Sequence, residues 1–164
     1  YGLDAKMAGY FTAACVFAGS LVRPLGGALA DRVGGIKSLS VVYVAAAIFL
    51  AIVSLGLPAA WMALGVFMLA MLSLGMGNGA VFQLVPQRFR KEIGVMTGLV
   101  GMAGGIGGFY LASSLGYIRG ATGSYQNGLL IFSGLCIVAL IGLSSVKTRW
   151  RTTWGAAAIA GAKV

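Results

Sequence analysis

Five long apolar runs separated by short basic segments constrain the fold of this 164-residue chain more than any other feature. The runs cover residues 8–30, 39–57, 60–84, 94–117 and 127–146. Each approaches or exceeds the roughly 20 residues that an α-helix needs to cross a hydrocarbon core of about 30 Å. Because the runs are continuously apolar rather than alternating, they favour helices over a transmembrane barrel. We therefore predict an all-α membrane protein with five transmembrane helices.

The shortage of charge supports the same interpretation. Only 9% of the residues are charged, whereas a soluble domain carries roughly 25%. The formal net charge of +9 does not indicate a nucleic-acid partner, because the bases form short clusters between apolar runs. The chain has no histidine, and its three carboxylates, Asp4, Asp31 and Glu92, lie at the ends of runs. We predict no enzyme activity, no catalytic residues, no metal site and no cofactor.

The distribution of basic residues predicts the orientation in the membrane. Segments on one side hold nine bases, and those on the other hold only Lys6 and Arg119. The positive-inside rule assigns the basic side to the cytoplasm, which places the N-terminus outside and the C-terminus in the cytoplasm. We expect a multi-pass protein of the inner (cytoplasmic) membrane. Residues 1–146 would form its transmembrane part, and residues 147–164 a basic cytoplasmic tail.

Arg23 is the one basic residue deep inside an apolar run. It precedes Asp31 by eight residues, about 12 Å along a helix, and a charge at that depth costs several kcal/mol. One interpretation is a snorkelling arginine whose head reaches the interface. The interpretation that we favour is a cation that binds an anion in an internal cavity, since a guanidinium suits a small planar oxyanion. Pro24 predicts either a local bend that presents Arg23 or a packing kink.

Glycines and two amides complete the candidate residues. Gly98, Gly101 and Gly105 lie along one stripe of the fourth run, and Gly104 widens it. The stripe indicates close helix packing, or a smooth surface beside a substrate path where exposed backbone contacts the anion. Asn78 and Gln83 are polar side chains in the third run, suited to interhelical hydrogen bonds or to substrate contact. Their separation of five residues does not place them on one helical face.

The segment G-G-A-L-A-D-R-V-G-G, residues 26–35, resembles the G-x-x-x-D-R-x-G-G loop motif of the major facilitator superfamily. The resemblance implies a conformational motif on the cytoplasmic side. Its residues are Gly27, Asp31, Arg32, Gly34 and Gly35. Asp31 would then contact neighbouring helix ends and bases and stabilise one conformation of an alternating-access cycle. A simple helix cap is the alternative.

Three further segments, residues 19–27, 77–94 and 98–110, resemble the eighth, tenth and eleventh helices of nitrate/nitrite porters. The resemblance implies an incomplete C-terminal six-helix half of a twelve-helix protein, without the N-terminal half and the seventh helix. Arg23 matches the arginine that binds the substrate anion in that family, whose second arginine lies in the missing half.

This resemblance implies secondary active transport of nitrate, and of nitrite as a second substrate, by alternating access. It favours proton-coupled uptake. The implied partners are nitrate or nitrite, protons, membrane lipid and the missing N-terminal half. Three alternatives remain open: a nitrate/nitrite antiporter, a facilitator of another small anion such as a carboxylate, and a non-transporting membrane fragment in which Arg23 is structural. The last alternative predicts that the chain folds stably alone, whereas a porter half would expose helix faces.

Overall fold

The computed structural model describes residues 4–153, with the backbone alone at Arg88 and at residues 148–153. All the regular secondary structure in this range is helical. The six helices, in chain order, are α1 (Ala5–Leu21), α2 (Arg23–Val33), α3 (Gly35–Ser54), α4 (Ala60–Arg88), α5 (Ile93–Thr122) and α6 (Gln126–Thr153).

Five stretches of these helices are long and apolar enough to cross a membrane, which confirms the predicted all-α membrane fold. They are Ala5–Val33, Gly35–Ser54, Ala60–Gln87, Ile93–Thr122 and Gln126–Lys147. The first combines α1 and α2. The second begins at Gly35 rather than at residue 39, because Gly34 ends α2 and α3 starts directly after it, and it ends at Ser54 rather than at residue 57.

The best-packed helix is α3, which lies against α2, α4 and α6. Its buried residues recur at helical spacing, among them Leu39, Val42 and Ala46. Ala30 of α2 and Ala80 of α4 join Leu39 in the central apolar cluster. Where α3 meets α6, the Ser133 hydroxyl of α6 donates a 2.7 Å hydrogen bond to the Ala47 carbonyl. Such a bond satisfies a polar group that hydrocarbon cannot hydrate.

Helix α5 is the opposite case, since it has no buried residue. It meets α6 and α4 along limited contacts. At the Gly123 end, Arg119 donates a 2.6 Å hydrogen bond to the Tyr125 hydroxyl and lies over its ring, 4.7 Å from the ring centroid.

The predicted division at residue 146 falls inside α6, which continues to Thr153. The proposed cytoplasmic tail therefore begins as a helical extension. Residues 154–164 of that tail lie outside the described range.

Candidate functional site

The first transmembrane stretch is interrupted just before Arg23. Helix α1 ends at Leu21, and α2 begins at Arg23 with Pro24 in its first turn. Val22 between them keeps α-helical angles (φ −80°, ψ −10°), and the bonds from Val22 N to Ala18 O and from Gly26 N to Val22 O remain. The interruption therefore reflects the missing N–H of Pro24 rather than a sharp turn. Arg23 is the first residue of α2.

Glycines bring the backbones of this interrupted stretch and α4 into direct contact. Gly26 lies so close to the Met76 backbone that it has no room for a Cβ atom. On α4, Gly75 meets the carbonyl oxygen of Gly19, and Gly79 meets that of Arg23. Because backbone atoms cannot rotate away as a side chain can, these contacts fix the position of Arg23 relative to α4.

A cleft of about 260 Å³ opens beside this glycine contact, and Arg23 and Asn78 both line it. The cleft contains a hydroxyl, an amide and a guanidinium, whereas the two larger cavities nearby, of about 510 and 520 Å³, are lined mainly by apolar residues. Its lining residues come from α1, α2 and α4: Cys15, Val16, Gly19, Ser20, Arg23, Met71, Leu74, Gly75 and Asn78. The structure thus unites two residues that the sequence singles out from different runs.

The Arg23 guanidinium has no carboxylate partner among residues 4–153. Asp4 precedes α1, Glu92 precedes α5, and Asp31 accepts a hydrogen bond from Gln83 instead. An arginine stays charged at any physiological pH. A permanent cation beside a polar cleft in a membrane helix is therefore an anion-binding candidate.

The predicted conformational motif spans the junction of α2 and α3. Asp31 accepts a 2.6 Å hydrogen bond from the Gln83 side-chain nitrogen of α4, and Arg32 is exposed beside it in the last turn of α2. Gly27 faces α4, with the Gly79 carbonyl oxygen 3.7 Å from the place of a Cβ. The aspartate thus joins α2 to α4, rather than capping its own helix.

Two glycines form the turn of this motif. Gly34 ends α2 at φ +104°, a conformation that L-residues rarely adopt, and Gly35 is buried against the Leu84 side chain. Gly34 therefore serves the tight passage from α2 to α3, and Gly35 allows the start of α3 to approach α4 closely.

Comparisons with known proteins identify the family of this chain. The family model for the Major Facilitator Superfamily matches residues 1–112. The chain belongs to the major facilitator superfamily. The predicted resemblance to nitrate/nitrite porters is also confirmed, because curated relatives of the chain carry such names.

Three relatives are representative. "Probable nitrate transporter NarT" of Staphylococcus carnosus is 34% identical over 87% of this chain and 34% of its own length. The protein of the same name in Staphylococcus haemolyticus is 30% identical over 86% of this chain and 36% of its own length. "Nitrite extrusion protein" of Bacillus subtilis is 33% identical over 86% of this chain and 35% of its own length. The chain thus spans about a third of the length of these relatives. No solved structure gives a significant match.

The predicted glycine stripe of this superfamily member does not reach the cleft. A Cβ atom at Gly98, Gly101, Gly104 or Gly105 would have no neighbour within 4 Å among the described residues. The stripe forms an open face of α5. Its two proposed roles, close helix packing and contact with the substrate anion, therefore stay predictions. In the described residues, glycines that meet the backbone of a neighbouring helix at close range lie instead on α1, α2 and α4.

Sequence reasoning missed two features of the site. Ser20 lines the cleft, and its position three residues before Arg23 was the available signal, because residues at that spacing share a helical face. The pairing of Gln83 with Asp31 joins residues 52 positions apart, and no local pattern indicates such a bond.

Proposed function

We propose that this chain forms part of a secondary transporter that carries nitrate, with nitrite as a second substrate, across the cytoplasmic membrane. The observation that carries the proposal is the Arg23 guanidinium, which lines the cleft between α1, α2 and α4 and has no carboxylate partner among residues 4–153. The names of the relatives, nitrate transporter and nitrite extrusion protein, support this choice of anion. The predicted C-terminal position of this part within a longer porter belongs to the same proposal.

Arg23 would hold the anion through two parallel N–H donors, which match two oxygens of a planar oxyanion. Asn78 offers a neutral amide from the facing helix. A second arginine, expected from the resemblance, would be supplied by the remainder of the transporter. The two halves would then expose the site alternately to each side of the membrane, with the N-terminus of this chain outside and its C-terminus in the cytoplasm.

Proton-coupled uptake requires a group that takes up the proton. The chain contains no histidine, and the carboxylates of the described range lie at helix ends. A coupling proton would therefore bind outside these spans, in the remainder of the transporter or with the substrate. The predicted open glycine face of α5 would pack against that remainder, and its backbone would line the substrate path.

The proposal predicts nitrate uptake into proteoliposomes that contain the complete transporter. An imposed inward proton gradient is expected to raise the initial rate severalfold, and excess nitrite is expected to compete. Protein-free liposomes under the same gradient provide the control. Uptake that depends on internal nitrite and ignores the gradient would establish exchange instead, while competition by formate but not by nitrite would indicate a carboxylate facilitator.

Loss of the Asp31–Gln83 bond is expected to change the maximal rate of transport rather than the KM for nitrate. Gln83→Leu removes the donor from Asp31 but leaves the cleft residues in place. Hydrogen bonds between membrane helices average about 0.6 kcal/mol, so we expect roughly a threefold change in maximal uptake rate and an unchanged KM for nitrate. Asp31→Asn, which keeps an acceptor oxygen, is expected to have a smaller effect. A higher KM with an unchanged maximal rate would instead make Gln83 a substrate contact.

A further inference from the structure

Ser20 lies in the cleft one helical turn before Arg23. Both residues line the same cavity, Ser20 from the last turn of α1 and Arg23 from the first residue of α2. The interruption at Val22 does not separate them, because Val22 keeps α-helical angles. The hydroxyl and the guanidinium therefore lie on the same side of the interrupted stretch.

The Ser20 hydroxyl makes no hydrogen bond within the part of the chain that the structure describes. Many hydroxyls elsewhere in these helices donate to carbonyls three or four residues earlier, as at Thr12, Ser40, Ser54, Ser73, Ser114 and Thr122, whereas the buried Ser38 hydroxyl, away from the cleft, also lacks a partner among the described residues. That local bond is the usual way to satisfy a hydroxyl in a membrane helix. Ser20 instead keeps its donor available at the surface of a polar cleft.

The Asn78 side chain, on the α4 side of the cleft, also keeps its hydrogen-bond donors available. It is exposed to the cleft and has no hydrogen-bond partner among residues 4–153. Two neutral donors therefore flank the charged one, from two different helices. Neutral donors add no charge to the site, so they discriminate between anions by geometry rather than by attraction.

We propose that Ser20 is a specificity-determining residue that donates a hydrogen bond to an oxygen of the bound anion. The inference rests on the proposed function of the cleft. A guanidinium fork engages two oxygens of a planar oxyanion. Nitrate has a third oxygen and nitrite does not. A donor placed beside the fork, rather than within it, serves that third oxygen and thus favours nitrate over nitrite.

The test compares KM for nitrate and for nitrite in proteoliposomes containing the complete transporter. Ser20→Ala is expected to raise the KM for nitrate roughly tenfold, the factor that corresponds to about 1.4 kcal/mol, close to the lower end of the range for a hydrogen bond to a charged group. The KM for nitrite should change less than threefold. Ser20→Thr retains the hydroxyl and should restore the preference for nitrate.

Ser54→Ala is the matched control, because the Ser54 hydroxyl bonds to the Ala51 carbonyl and lies outside the cleft. It should leave both KM values unchanged. An equal rise in both values for Ser20→Ala, or no rise in either, would overturn the role of Ser20. Loss of the nitrate preference in Ser20→Thr would do the same.

Arg23→Lys, measured in parallel, separates the two proposals. If Arg23→Lys loses nitrate uptake while Ser20→Ala keeps both wild-type KM values, the inference about Ser20 is wrong and the proposed function stands. If Arg23→Lys transports nitrate normally, the anion site itself is wrong, and the role of Ser20 is overturned with it.

Discussion

Replacing Arg23 with lysine is expected to lower the kcat/KM for nitrate uptake by about 10- to 100-fold. Lysine keeps the positive charge but loses the planar pair of N–H donors, so it can attract the anion without fixing its orientation. The expected loss corresponds to one charge-assisted hydrogen bond, about 1.5–3 kcal/mol. Initial rates in proteoliposomes containing the complete transporter, over a range of nitrate concentrations, provide the measurement.

Arg90→Lys is the matched control for this experiment. Arg90 is exposed in the connection between α4 and α5 and does not line the cleft, so its replacement should leave uptake unchanged. Equal amounts of monodisperse protein in each preparation would show that Arg23→Lys has not simply failed to fold. Normal nitrate uptake by that variant would assign Arg23 a structural role and refute the proposed anion site.

Replacing Gly79 with alanine is expected to disturb both folding and transport. A Cβ atom at Gly79 would lie 2.9 Å from the Arg23 carbonyl carbon and from the Gly27 nitrogen, and closer still to the Arg23 carbonyl oxygen. The surrounding atoms are backbone, so α2 must move away from α4. Overpacking of this kind costs about 1–3 kcal/mol, and the movement carries Arg23 with it. We expect a lower Tm in detergent and a severalfold loss of nitrate uptake.

The same helix supplies a control for this substitution. Gly65 lies in α4, but no atom lies within 4 Å of its potential Cβ among the described residues. Gly65→Ala is therefore expected to be neutral or stabilising, since alanine favours a helix by up to about 1 kcal/mol. Equal Tm values and uptake rates for the two alanine variants would contradict the proposed positioning role of the glycine contact.

The transmembrane helices and the interruption near Arg23 are predictable from the sequence because both have local causes. Long apolar runs predict spans, and Pro24 lacks an N–H wherever the helix goes. The position of Arg23 within its span likewise follows from the neighbouring sequence alone. These features needed no knowledge of which helices are neighbours.

The packing partners are harder to predict for a physical reason. Glycine spacing shows which face of a helix is smooth, but it does not show which helix covers that face. The regular stripe on α5 is the most conspicuous glycine pattern in the sequence, yet it is open in the described part of the chain. The glycines that do touch, such as Gly26 and Gly79, occur in less regular patterns. The Asp31–Gln83 bond depends on the same unknown pairing of helices.

The lone guanidinium also makes the proposed transporter sensitive to the membrane potential. Because Arg23 has no carboxylate partner among residues 4–153, its positive charge is cancelled only when a monovalent anion binds beside it. One elementary charge crossing the full potential difference is worth about 2.3 kcal/mol per 100 mV. The loaded and empty carriers would therefore respond differently to voltage, and an inside-negative potential would favour an inward-facing empty site.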